Sequence, residues 1–212
     1  NIVSESDSGI LVAGWNEHTK MPNGFIISNN TLGNNNFGIY LSNTGNFEQI
    51  MYGGEDSQII DNEITNSSVG IEFSGKSNLY INSAISNNII EVNDTGIDII
   101  SAEKLIVRNN YILAKNFGIN TLECEDLIIN RNNITTEFNG IKIDQGSYLV
   151  SNNFIRANCK SEDCQKISFV KVGNKGLEII DIKNSIISKN AIDLFYTNVA
   201  LKNSDLSDSQ SF

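Results

Sequence analysis

Glu72 and Asp98 are the residues whose type and spacing best suit chemistry. Each is the third residue of a glycine-led run, Gly70-Ile71-Glu72 and Gly96-Ile97-Asp98. If the two runs are neighbouring strands of one parallel sheet, their Cβ atoms stand about 5 Å apart. Carboxyl groups that close push each other's pKa values apart. At about 5 to 5.5 Å, one can act as acid/base and the other as nucleophile at a glycosidic bond. Asp94 adds a third acid near the bend, and the trio Glu72, Asp94 and Asp98 could hold a calcium ion. Asn120 and Lys142 follow in the equivalent runs Gly118-Ile119-Asn120 and Gly140-Ile141-Lys142. Two strand spacings place Lys142 about 10 Å from Asp98, where it could bracket one sugar and act as a base; His18 is the other candidate base. The plainer alternative is that an acidic chain sets carboxylates side by side on any solvated sheet face.

What would position these residues is a repeat. Asn88, Ile90, Gly96, Ile97 recur as Asn110, Ile112, Gly118, Ile119 and as Asn132, Ile134, Gly140, Ile141, each copy 22 residues after the last. Asn30 to Ile39 and Asn62 to Ile71 share the internal spacing, and a sixth start stands at Asn152 with Phe154. Short β-branched runs at a fixed period, punctuated by Asn and Gly, predict an all-β solenoid: one domain over residues 1–212, of about seven or eight coils. Side chains alternate along a strand, so Ile39 and Leu41, Ile71 and Phe73, Ile97 and Ile99, and Ile141 and Ile143 are expected to point inward. The outward file is then Leu11, Tyr40, Glu72, Asp98, Asn120 and Lys142. The recurring Asn residues are expected to take left-handed geometry at a bend and to bond to the next coil as a ladder, and the glycines to permit close stacking.

Insertions at about 14–23, 42–57 and 74–79 occupy the same place in three coils and so project from one side of the rod. They carry Trp15, Phe47 and Tyr52, which with Tyr40 could stack on sugar rings while Asn120 bonds hydroxyls; equally, Trp15 and Phe47 could pin their loops. A fourth insertion, about 157–176, holds Cys159 and Cys164, which could close a small disulfide loop, whereas Cys124 reads as a buried small hydrophobe.

The net charge of −10, with no basic patch interleaved with aromatics, argues against nucleic acid and anionic membrane surfaces as partners. No apolar run is long enough to span a bilayer and the N-terminus shows no signal-peptide pattern, so membrane insertion is not expected. The chain opens on Asn1-Ile2-Val3 as though within a coil under way, which suggests a mature or excised fragment.

The pattern N-x-I-x5-G-I, seen from Asn62 to Phe73 and from Asn88 to Ile99, resembles the parallel β-helix repeat of the pectate-lyase-like superfamily over most of the chain. The resemblance implies a right-handed, single-stranded parallel β-helix in an extracellular, cell-surface or virion setting, with a polysaccharide as partner. It implies a glycoside hydrolase, or a lyase or epimerase, with no cofactor required and calcium a possible one. It equally admits a non-catalytic glycan-binding or structural module of a tailspike, fibre, adhesin or surface protein, self-associating or trimeric through its ends or faces. The Asn-Thr-Asp, Asp-Asp, His-Gly and Arg-Ile-Lys set of polygalacturonases and the Asp-Pro-His-Glu of alginate epimerases are absent from the sequence.

Overall fold

A computed structural model describes residues 1–14, 22–43, 54–74, 82–158, 175–182, 186–193 and 197–202. Most of the four insertions, with Trp15, His18, Phe47, Tyr52, Cys159 and Cys164, lies outside the described residues.

One coil shows the plan. Gln58–Ile60, Glu63–Thr65 and Val69–Ser74 are three strands separated by tight bends, and they define a first, second and third face. Every strand pairs in parallel with its equivalent one coil away. The second face is an eight-stranded sheet, in agreement with the expected number of coils. The first and third faces join into a 13-stranded sheet, because Phe117–Asn130 and Asn139–Ser151 run unbroken around the corner between them. Among the described residues no helix is long and apolar enough to cross a membrane.

Each face sends a file of aliphatic side chains inward. Leu32, Ile64, Ile90, Ile112, Ile134 and Ile155 stack on the second face; Ile39, Ile71, Ile97, Ile119 and Ile141 on the third; Ile27, Ile59, Ile85, Val107, Ile129 and Val150 on the first. All are buried, and β-branched residues suit such files because they stack on a pleated surface with little rotamer freedom to lose. The predicted inward pairs all stand in this core. A glycine precedes each third-face isoleucine because the coils touch there. A Cβ on Gly96 would lie 2.4 Å from Ile112 Cγ2 and 2.6 Å from the Gly118 carbonyl oxygen. Cys124 is a buried hydrophobe as expected, its thiol pushed up to about 11 by burial.

The asparagine ladder forms at the corner between the first and second faces. Asn110 is typical: its amide nitrogen donates to the Ile85 carbonyl at 3.1 Å and to Asn132 Oδ1 at 3.0 Å. Its own Oδ1 accepts from the backbone and side-chain nitrogens of Asn88, both at 3.0 Å. The rungs run Asn1, Asn30, Asn62, Asn88, Asn110, Asn132, Asn153 and Asn190.

Two details differ from the sequence reading. Asn153, not Asn152, takes the rung after Asn132, because that coil is 21 residues long rather than 22. Ile155 rather than Phe154 therefore points inward. The left-handed conformation also belongs not to the ladder asparagines but to the residue before each: Asn29, Asp61, Asn87, Asn109, Arg131, Asn152 and Lys189, with φ between 54° and 58°. That preceding residue makes the turn, leaving the next side chain free to point inward and bond.

Asn110→Ala strips a buried carbonyl and two Asn88 donors of their partner. We expect it to lower the unfolding free energy by about 3 kcal/mol or more. Asn109→Gly, at the neighbouring left-handed position, should change it by less than about 1 kcal/mol. Urea denaturation of both variants measures the contrast.

Candidate active site

The third face brings the outward file together as the spacing predicts. Leu11 pairs in register with Tyr40, Tyr40 with Glu72, Glu72 with Asp98, Asp98 with Asn120, and Asn120 with Lys142. Glu72 and Asp98 are thus direct neighbours on adjacent strands, with Cβ atoms about 5 Å apart, and both are partly buried. The Asn120 amide nitrogen donates to Asp98 Oδ1 at 2.8 Å, while Asn120 Oδ1 is itself buried with no partner among the described residues. Lys142 Nζ lies 3.7 Å from Asp144 Oδ2. Tyr40 stacks on Phe37, centroids 4.7 Å apart and planes 18° from parallel, so an aromatic platform stands beside the acids. Asp94 is held by the Asn116 amide at the preceding bend.

The family description "Right handed beta helix region" matches residues 49–209. The chain belongs to that family. A search of curated proteins finds no match. Among solved structures, the A-module of the mannuronan C-5 epimerase AlgE4 of Azotobacter vinelandii is similar over 98% of this chain and 81% of that one. Its 13% identity and TM-score of 0.40 are too low to carry residues or activity across.

On this β-helix the two carboxyl groups are electrostatically unequal. Burial, and then the charge of Asp98, push Glu72 up to about 7. Burial also raises Asp98, but the Asn120 hydrogen bond and the Lys142 ammonium pull it back, against a further upward push from Asp94. The stabilising partners all sit on the Asp98 side, so Asp98 ionises first and Glu72 then keeps its proton beside a fixed negative charge.

Among the described residues no three His, Cys, Asp or Glu side chains are gathered as a metal-holding group. Phe37 and Asp144 are the parts of the site that the sequence reading missed. Asp144 follows Lys142 by two residues, and the two-residue period of a strand was signal enough to find it. Phe37 sits just before its glycine, outside the run that was read. Trp15 and Tyr52, the other proposed sugar-binding aromatics, and His18 lie outside the described residues.

A carboxyl group whose pKa is raised in the folded state contributes most stability below its unfolded value and loses that contribution as pH rises through the folded value. The melting temperature should therefore fall between about pH 4.5, the ordinary value for Glu, and about pH 7. Glu72→Gln should flatten that fall, as thermal melts across the range would show.

Proposed function

We propose that this β-helix acts on a polysaccharide lying across its third face, and that it hydrolyses a glycosidic bond at Glu72 and Asp98. One observation carries the reading: the two carboxyl groups are paired in register on adjacent strands, in surroundings that raise Glu72 to about 7 and give Asp98 the partners that favour its ionised form. Asp98, ionised and oriented by Asn120, attacks the anomeric carbon as the bond to the leaving oxygen breaks; Glu72 gives its proton to that oxygen. Glu72, now a carboxylate, takes a proton from water, and the resulting hydroxide displaces Asp98 from the sugar. A Cβ separation of about 5 Å on adjacent strands suits this retaining route, because an inverting one needs room for water between the carboxyl groups. The Phe37–Tyr40 platform would stack on a neighbouring sugar. Lys142 would face an anionic substituent or, in an eliminating or epimerising variant of the same reading, the proton at C5. With such a substrate the protein would work outside cells, on their surface or on a virion.

A second reading is favoured by the same platform: a module that binds the glycan through Phe37 and Tyr40 without altering it.

The test is product formation on a panel of neutral and uronate polysaccharides, with and without calcium, followed by reducing ends, chain length, ultraviolet absorbance and epimer content. Shortened chains that disappear in both Glu72→Gln and Asp98→Asn, by about a hundredfold or more, are the expected result. Activity should decline above about pH 7 as Glu72 loses its proton. Unsaturated or epimerised products would move the chemistry to Lys142. Glycans that bind and are never altered would leave only the binding module.

A further inference from the structure

The first face carries a feature that the acid pair does not use. Its outward file runs in register through Ala84, Ile106, Ile128 and Leu149. Outward positions on a solvated sheet are normally polar, yet Ile106, Ile128 and Leu149 are aliphatic on three successive coils and are partly exposed. The stripe is bordered by opposite charges. On the side where each strand enters stand Glu103, with its ion-pair partner Lys104, and then Glu125 and Asp126. On the side where it leaves stand Arg108, Arg131 and Lys189, all exposed. Neither arginine is in an ion pair among the described residues. Each border lies two to three residues, about 7 to 10 Å of chain, from the stripe.

We infer that this face is the interface of a two-fold dimer of the chain, with the two rods side by side and running in the same direction. The charges select the arrangement. Two identical faces can meet about a two-fold axis lying in the interface, and that axis can run along the rods or along the strands. An axis along the strands turns the rods antiparallel and sets each acidic border over the partner's acidic border, and basic over basic. An axis along the rods keeps them parallel and exchanges the borders, so that Glu125 and Asp126 of one copy face Arg131 of the other on the same coil. Ile106, Ile128 and Leu149 then meet their own equivalents across the axis, as an isologous interface requires. A narrow apolar stripe between charged borders gives a dimer that salt weakens, because part of its attraction is between exposed charges.

Sedimentation of the 212-residue chain tests the arrangement, with melting temperature and circular dichroism confirming the fold of each variant. We expect a reversible monomer–dimer equilibrium that shifts toward monomer as salt is added, and that Ile128→Glu abolishes. Arg131→Glu and Glu125→Lys should each weaken dimerisation by about tenfold. Combining them in one chain should restore it, since each new charge then faces its opposite on the partner. A chain still monomeric at about 0.1 mM, weaker than any useful interface, would overturn the proposal. So would a dimer indifferent to these variants, or one that Arg131→Glu tightens, the signature of antiparallel rods.

Discussion

Everything in this molecule depends on coils stacking at strand spacing with no backbone or amide group left without a partner at the corner. The bend between the first and second faces is buried at its asparagines, and a buried corner holds polar backbone that water cannot reach. The asparagine ladder meets that demand: from Asn62 to Asn153 each amide nitrogen donates to a first-face carbonyl of the preceding coil and to the asparagine of the next coil. Such a rung tolerates no lateral slip, because one residue of slip would turn the amide out and an apolar side chain into its place. The glycine file enforces the same register from the third face, where backbones approach so closely that a Cβ has no room.

Fixed register turns a repeat into straight columns. Equivalent residues on successive coils stand about 4.8 Å apart whatever their chemistry, so a charge placed at one position is held against the equivalent side chain above and below. On the second face the outward column mixes Thr31, Glu63, Ile89, Tyr111 and Asn133, and no two carboxylates are neighbours. On the third face Glu72 and Asp98 are neighbours, and the fold cannot move them apart. Burial, and then the charge of Asp98, raise Glu72 to about 7, while the Asn120 hydrogen bond and the Lys142 ammonium favour the ionised form of Asp98. A half-buried carboxyl that keeps its proton near neutrality costs stability in its ionised form and is more useful to chemistry than to folding.

The architecture was legible because it is periodic. Gly-Ile followed by an outward residue recurs with enough regularity to give the inward files, the outward column and the adjacency of Glu72 and Asp98 before any coordinates. The failures fall where the period changes. A coil one residue short moved the rung from Asn152 to Asn153, and Asn-Asn at that point gave the spacing two starts to choose from. The same ambiguity hid the division of labour at the bend. In Asn29-Asn30, Asn87-Asn88, Asn109-Asn110 and Asn152-Asn153 both residues are asparagine; only Asp61-Asn62, Arg131-Asn132 and Lys189-Asn190 show that the first position asks for a turn and the second for an amide. The apolar stripe of the first face was missed for a different reason. Runs such as Leu127-Ile128-Ile129 read as core throughout, and only the strand's two-residue alternation tells that Ile128 alone faces out.

The two outward features do not compete for surface. The acid column lies on the third face and the apolar stripe on the first, with Glu125 and Asp126 at the corner between them. In a parallel dimer each acidic corner packs against the basic edge of its partner, the edge that leads to the partner's second face. The third face of one copy therefore continues onto the second face of the other, and the two third faces point to opposite sides of the pair. Neither column is covered, and neither contributes a residue to the other. Under the proposed hydrolysis each carboxyl pair would act within its own rod, on its own strand of substrate, and dimerisation would hold two sites on one rigid body. For a long repeating polymer that is a gain in avidity with no new contact to the sugar, because a chain released from one site remains near the second.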